Sequence, residues 1–326
     1  MPKTSRRAFI ASSAAFAAAS LPGLAETSDD VRLVDFHAHC TEFPSCALRR
    51  GGPRPLCTPD DLLRLYDALG VEKGCVHPVT GCETVVGAQS VEEVLRICRA
   101  HPDRLVPFMG FDPRGGCNTP HADFLPLLES YRERGCRGLG EIVANLDILD
   151  GRVQNLFEQA ERAGLPVSFS LSPNEGWGAG LVDRPGLPGL GRTLRRFPKL
   201  RLVGSGAVFW SEIGGDAGDF DRRVGCPQGP VLDGALPRLM RAYPNLWADL
   251  SGPSGCNALA RDRTHAAKFL TEFQDRILFG LDVRAPSEGA SGLGGFLREL
   301  RSAGEISSVV FGKVGRENAL RMLAFA

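Results

Sequence analysis

Several features are missing from this sequence of 326 residues, and each absence argues against a class of protein. The 38 basic residues balance the 38 acidic ones, so the chain has no long-range positive field to attract a nucleic acid. No segment reaches the roughly 20 apolar residues that cross a bilayer. The ten cysteines include no C-x-x-C pair, so a zinc ribbon or a thioredoxin-like redox site has no support. What remains is the composition of a globular protein with material for a large core.

The first 25 residues are predicted to be an export signal. Ser5–Ile10 matches a twin-arginine pattern, an alanine-rich apolar run follows, and Gly23-Leu24-Ala25 offers a cleavage point. The alternative interpretation is a tail that is not cleaved. The export interpretation predicts a periplasmic or secreted protein whose residues 26–326 form a single domain. The twin-arginine export machinery would then be one of its partners, without stable membrane insertion after cleavage.

The cysteines all lie after the predicted signal. In an oxidising compartment Cys46 and Cys57 are the expected local disulfide, because they are close in sequence. Cys75, Cys98 and Cys136 have apolar neighbours, which predicts buried core thiols.

From residue 31 onward, short β-rich runs alternate with amphipathic helical patterns. The predicted strands are Val31–His37, Glu72–Val79, Arg104–Phe111, Cys136–Val143, Pro166–Leu171, Leu200–Gly204, Asn245–Leu250 and Arg276–Leu281. Eight strands separated by helices predict a parallel (β/α)8 TIM barrel. A doubly wound open sheet is the alternative, weakened because no G-x-G-x-x-G follows the first strand. The long segments Cys40–Thr58 and Gly214–Pro230 are predicted to cover the mouth of the barrel.

The ends of the first and last predicted strands carry the residues best suited to chemistry. His37 and His39 alternate with one residue on a strand, so both side chains point into the barrel mouth, with Cα atoms roughly 6–7 Å apart. Two such imidazoles can chelate one divalent ion. Asp282 ends strand eight, where it can bind a metal or accept a proton from water; capping the next helix is the alternative role.

These motifs together resemble the amidohydrolase superfamily, in particular its amidohydrolase-related branch of metal-dependent barrels. The resemblance extends from about Val31 to the C-terminus. It rests on the order and spacing of these motifs: Asp35-Phe36-His37-Ala38-His39, Gly138-Leu139-Gly140-Glu141, Phe209-Trp210-Ser211-Glu212-Ile213, Asp249-Leu250-Ser251, Phe279-Gly280-Leu281-Asp282 and the C-terminal helix Glu317–Leu323. It implies that His37, His39 and Asp282 are metal ligands.

The chain departs from the family pattern at two ligand positions. The resemblance implies a histidine at the end of strands five and six, where this chain has Ser170 and Ser205. No shift in alignment supplies the missing imidazoles, because the sequence has no histidine between His121 and His265. Some members use a strand-four residue as a ligand, so Glu141 is a candidate here; capping a turn or pairing with an arginine are its alternatives.

Three other residues are candidate substrate contacts. His77 ends strand two and could reach the mouth, although a buried histidine bonded to backbone is the alternative. Trp210 could line a pocket or pack beneath it. Arg284 could neutralise a substrate carboxylate or form a surface salt bridge.

The resemblance implies a hydrolase that uses a metal-activated water on a small amide, lactone or ester, with Asp282 as the proton acceptor. A non-oxidative decarboxylase on the same fold and an inactive exported barrel are the two alternatives. The expected cofactor is one divalent ion, with zinc as the predicted identity, or none if the site is inactive. The expected partner is a small-molecule substrate, and the sequence also allows a homo-oligomer.

Overall fold

Eight parallel strands form the centre of the computed structural model, which describes residues 31–325 apart from 43–45, 50–51, 85–87, 219, 226 and 287–291. The strands in chain order are β1 (Leu33–Ala38), β2 (Cys46–Arg49), β3 (Gly52–Pro55), β4 (Val71–Val76), β5 (Leu105–Pro107), β6 (Leu139–Ile142), β7 (Val167–Ser172), β8 (Leu181–Val182), β9 (Leu202–Ser205), β10 (Leu246–Asp249) and β11 (Ile277–Leu278). Each of the eight predicted strands overlaps one of these; β2, β3 and β8 were not predicted.

Helices alternate with the barrel strands along the chain. They are α1 (Pro59–Leu69), α2 (Val91–Ala100), α3 (Leu125–Glu133), α4 (Gly151–Ala163), α5 (Pro188–Arg196), α6 (Gly206–Ser211), α7 (Phe220–Val224), α8 (Ala235–Ala242), α9 (Gly252–Ala260), α10 (Arg263–Glu272), α11 (Leu293–Ser302), α12 (Ser308–Gly312) and α13 (Asn318–Ala324). Residues Arg32–Ala326 form one compact unit. Among the described helices, none has the length and apolar character to span a membrane.

Backbone hydrogen bonds join the two groups of parallel strands at two seams. The pairing order is β1–β4–β5 in one group and β6–β7–β9–β10–β11 in the other. At the first seam the Met109 amide donates to the Gly138 carbonyl (2.9 Å) and the Gly140 amide donates to the Met109 carbonyl (2.8 Å). At the second, the Phe36 amide donates to the Phe279 carbonyl (2.9 Å). The predicted (β/α)8 barrel is therefore confirmed.

Helix α1 illustrates how local sequence places a side chain beneath the barrel mouth. Thr58 and Asp61 form a capping box in which each side chain accepts a hydrogen bond from the other's backbone amide. Gly70 ends the helix with a φ of 70°, a conformation that glycine adopts without a steric cost. The buried face of the helix includes Tyr66, whose hydroxyl donates to Asp35 (2.7 Å).

A buried carboxylate, that of Asp35, fastens the seam between β1 and the end of β11. Its Oδ1 accepts from the amides of His37 (3.0 Å) and Leu281 (2.8 Å), while Oδ2 accepts from Tyr66. Burial raises the pKa of Asp35 to about 7, although these three hydrogen bonds act in the opposite direction. One side chain therefore fixes the backbone next to two predicted site residues, His37 and Asp282.

The long segments predicted to be loops contain regular structure. Cys40–Thr58 includes an antiparallel hairpin of β2 and β3, and Gly214–Pro230 includes helix α7. The sequence pattern does not predict the hairpin or the helix, because each element is only four or five residues long.

The predictions for the termini and the cysteines have mixed outcomes. Cys75, Cys98 and Cys136 are buried thiols, as predicted. The export signal and the side chain of Cys46 lie outside the described residues, so the signal and the Cys46–Cys57 disulfide remain predictions.

Replacing Asp35 tests the role of its carboxylate at the seam. Asp35→Ala leaves two buried amides and the Tyr66 hydroxyl without their acceptor, and each loss costs about 1–3 kcal/mol. We therefore expect the free energy of unfolding to fall by at least about 3 kcal/mol in chemical denaturation. Asp35→Asn keeps a carbonyl oxygen for both amides and should lose less than half as much. Equal stability of the two variants would contradict this account.

Candidate metal centre

His37 and His39 bring two ring nitrogens together at the mouth of the barrel. The Nε2 atoms of the two side chains are 3.2 Å apart, and both rings are buried. His37 lies in β1, and His39 is the first residue after the end of that strand. The prediction that the alternating pair points to the same side of the strand is therefore consistent with the structure.

The opposite nitrogen of each ring has a fixed partner. His39 Nδ1 donates to the carbonyl oxygen of His77 (3.0 Å), which can only accept. His37 Nδ1 donates to Asp249 Oδ2 (2.8 Å). Each neutral ring therefore has its proton on Nδ1 and a lone pair on Nε2. Two nitrogens 3.2 Å apart repel each other unless a positive charge, a proton or a metal ion, is shared between them, so the pair is arranged to hold one.

Two carboxylates complete the cluster. Glu141 Oε2 lies 3.7 Å from His37 Nε2, and Asp282 Oδ1 lies 3.4 Å from His39 Nε2. The ligand atoms of His37, His39 and Glu141 are all within 4.8 Å of one another, a spacing that a single metal ion can bridge. Asp282 has a φ of 51° and its amide donates to the His37 carbonyl, so its backbone is tied to β1. It caps no described helix, since α11 has Gly292 at its N-cap position.

The electrostatics of the cluster favour a positive charge between the imidazoles. Burial alone would lower the pKa of His37, but Glu141 and Asp249 outweigh it and raise that pKa well above its usual value. Burial and the Arg284 guanidinium lower the pKa of His39. Burial would raise the pKa of Glu141, yet His37 and Arg284 hold it at about 2. The carboxylate therefore stays ionised beside the nitrogens at neutral pH.

Arg284 joins the two acidic candidate ligands. Its Nε donates to Asp282 Oδ1 (3.1 Å), and its terminal nitrogen lies 3.5 Å from Glu141 Oε2. Burial would raise the pKa of Asp282, but Arg284 and His39 hold it well below the usual range. About a third of the Arg284 side chain is exposed, so this ion pair lies in the site rather than on a distant surface.

The two predicted serines lie side by side at the carboxyl ends of neighbouring strands. Ser170 of β7 pairs in register with Ser205 of β9. The Ser205 hydroxyl is 3.3 Å from Glu141 Oε1 and 3.3 Å from the Phe169 carbonyl, both acceptors. The Ser205 hydroxyl therefore lies next to the cluster on this side of the mouth.

Two of the three predicted substrate contacts are inaccessible, and these predictions are corrected. His77 has no exposed surface, and its Nε2 donates to the Phe36 carbonyl (2.8 Å). Trp210 is also buried, and its indole N–H donates to the Asp249 carbonyl (2.8 Å). Both side chains pack beneath the mouth. Arg284 is the one of the three that reaches the cluster and solvent.

Asp249 and Ser251 were not predicted to have a role, although they stand in a motif at a strand end. Asp249 Oδ2 accepts from His37 Nδ1 and from the Ser251 hydroxyl (2.8 Å), and Asp249 Oδ1 accepts from the Ser251 amide (2.9 Å). A carboxylate that holds the far nitrogen of a ligand histidine is a usual feature of metal sites. The signal in the sequence was an acidic residue ending a barrel strand.

Solved structures share this fold at low sequence identity. An uncharacterized TIM-barrel protein from Bordetella bronchiseptica has a TM-score of 0.60 at 17% identity, covering 90% of this chain and 98% of its own. A putative 2-pyrone-4,6-dicarboxylic acid hydrolase from Pseudomonas putida has a TM-score of 0.58 at 17% identity, covering 91% and 98%. A 2,6-dihydroxybenzoate decarboxylase from Rhizobium has a TM-score of 0.53 at 15% identity, covering 90% and 98%. At these identities the likeness establishes the barrel alone.

The family is established by sequence. No curated protein matches this chain significantly. A family model described as amidohydrolase matches residues 34–325, which include His37, His39, Glu141 and Asp282. The match spans nearly the whole described chain and agrees with the motifs at the strand ends. The chain therefore belongs to the amidohydrolase family.

Proposed function

We propose that the protein is a metal-dependent hydrolase that cleaves a small amide, lactone or ester. The observation that carries the proposal is the pair of Nε2 atoms 3.2 Å apart, each on a ring whose Nδ1 is held by a hydrogen-bond acceptor. A neighbour of the same fold is named a putative 2-pyrone-4,6-dicarboxylic acid hydrolase, which is compatible with hydrolysis.

The donor set fits one divalent cation. His37 and His39 would supply two neutral nitrogens, while Glu141 and Asp282 would supply carboxylate oxygens. Zinc is the proposed ion because it accepts imidazole and carboxylate ligands together. Ser170 and Ser205 are much poorer ligands than imidazole, so we propose a single ion. Such a cation would lower the pKa of a water molecule toward neutrality and polarise the substrate carbonyl.

Asp282 is the proposed proton acceptor. Its depressed pKa keeps it ionised at neutral pH, and its Oδ1 is already bonded to Arg284, so Oδ2 would take the proton of the attacking water. The water oxygen attacks the carbonyl carbon, and the bond to the leaving nitrogen or oxygen breaks. Asp282 then returns its proton to that leaving atom, which restores the carboxylate for the next cycle.

Arg284 is the proposed contact for an anionic substrate. Its guanidinium stands beside both acidic ligands and is about one third exposed. A guanidinium can bind a carboxylate through two parallel hydrogen bonds. We therefore propose that the substrate has a carboxylate next to the bond that is cleaved.

The same arginine favours decarboxylation as the second candidate function. A carboxylate bound by Arg284 would lie next to the cluster, where it would leave as carbon dioxide while a proton takes its place on the carbon. Two assays separate the candidates: titration of acid released from small esters, lactones and amides, and detection of carbon dioxide from aromatic carboxylates. Carbon dioxide release without any hydrolysis would replace the first proposal with the second.

Removing a nitrogen ligand tests the metal site. Wild-type protein loaded with Zn²⁺ and freed of excess should hold about one ion per chain by elemental analysis. His37→Ala should weaken zinc binding by more than the roughly 10–100-fold that loss of an outer hydrogen-bond partner costs. His121→Ala, which changes an exposed histidine, is the matched control and should bind like wild type. Affinity should rise with pH, because coordination requires deprotonated nitrogens.

Equal, weak binding in wild type and His37→Ala would refute the metal site. That result would favour the third possibility, an inactive barrel.

Removing the proton acceptor tests the catalytic step. Asp282→Asn should lower kcat on the best substrate by about 10²- to 10⁴-fold, because the amide cannot accept the proton. The exposed Asp103→Asn is the control and should keep full activity. Steady-state kinetics on zinc-loaded protein, with the zinc content of each variant measured alongside, gives the comparison. Unchanged kcat in Asp282→Asn would exclude this residue as the acceptor.

A further inference from the structure

His77 makes a set of contacts around the His37–His39 pair that the proposed reaction does not use. The residue follows β4, and its side chain is completely buried against β1. Its amide donates to the Ala38 carbonyl (2.9 Å), and its ring Nε2 donates to the Phe36 carbonyl (2.8 Å). These two carbonyls belong to the residues on either side of His37. The backbone of the first ligand is therefore held by His77 from both sides.

The same residue also contacts the rings of both histidines. The carbonyl oxygen of His77 accepts from His39 Nδ1 at 3.0 Å, which fixes the tautomer of that ring. The His77 ring stacks on the His37 ring, with centroids 4.7 Å apart and planes 13° apart. Its other face stacks on Phe108, with centroids 4.3 Å apart. The His77 ring therefore sets the plane of the His37 ring, and Phe108 holds the His77 ring in place.

A histidine suits this position for identifiable reasons. A flat ring is needed for the stack between His37 and Phe108, and an N–H is needed for the Phe36 carbonyl. The remaining ring atom, Nδ1, has no hydrogen-bond partner among the described residues. A phenylalanine would therefore keep the stack and lose a single hydrogen bond, and a glutamine would keep a donor and lose the stack.

We propose that His77 is a positioning residue for the cation site: it orients the Nε2 atoms of His37 and His39 toward one point. This inference rests on the proposed metal-dependent function and assigns no contact between His77 and substrate. Partners that orient metal ligands typically change metal affinity by about 10- to 100-fold when they are replaced.

The test measures zinc affinity by competition with a chromophoric chelator, using His77→Phe and His77→Gln. We expect the dissociation constant to rise by about 10- to 100-fold in at least one of them, and the visible spectrum of the Co²⁺-substituted protein to change. The control is Asn318→Ala, which removes hydrogen bonds to the Gln274 and Ile277 carbonyls, neither of which involves a histidine. Asn318→Ala should lose stability and keep the wild-type dissociation constant.

A merely structural role for His77 predicts the opposite pattern: lower melting temperatures with unchanged zinc affinity and unchanged Co²⁺ spectra. That pattern would overturn the inference while leaving the proposed function intact, since wild type would still bind zinc through His37. Failure of wild type itself to bind zinc would instead remove the proposed function.

A measurement on the unmodified protein covers the case in which the variants do not fold. Long-range ¹H–¹⁵N spectra of zinc-loaded protein report which ring nitrogen of each histidine carries its proton. The structure requires His77 protonated on Nε2 and His39 protonated on Nδ1. A His77 ring protonated on Nδ1 alone would break the bond to Phe36 and overturn the inference.

Discussion

A single buried oxygen, Asp35 Oδ1, holds together the part of the barrel on which the site depends. It accepts the amide of His37 and the amide of Leu281, the residue before Asp282. The first and last strands of the barrel meet here, and each contributes a candidate ligand. Because the Asp282 amide also donates to the His37 carbonyl, the histidine and the aspartate cannot move apart without breaking these bonds. The hydrogen bonds that join the first and last strands therefore also fix the geometry of the site.

Charged side chains surround the imidazoles where the first and last strands meet. Asp249 lies behind His37, Glu141 and Asp282 lie in front, and Arg284 neutralises part of the resulting negative charge. Buried acidic groups are costly unless they are paired or hold a cation. A divalent ion at the two Nε2 atoms would bind both nitrogens and satisfy the carboxylates. The cluster thus has the arrangement expected of a cation site.

The sequence predicts the barrel and part of the site. The contacts that it does not predict were missed for physical reasons. Period-two alternation predicts that His37 and His39 share a side, and the strand-end position predicts that Asp282 lies at the same mouth. The hydrogen bond between His37 and Asp249 joins residues 212 positions apart, so local pattern cannot reveal it. His77 and Trp210 also end or follow strands, yet they pack inward, because burial depends on neighbours that only the folded chain supplies. Ser170 and Ser205 lie in register on neighbouring strands, while their correspondence to family ligand positions stays a prediction.

The most direct test of the central claim is anomalous X-ray diffraction from crystals grown with Zn²⁺. The account predicts one strong peak about 2.0–2.2 Å from both His37 Nε2 and His39 Nε2, with carboxylate oxygen from Glu141 or Asp282 completing the coordination. A peak bound elsewhere, or none at these nitrogens while the ion is present in the crystal at saturating concentration, would contradict it.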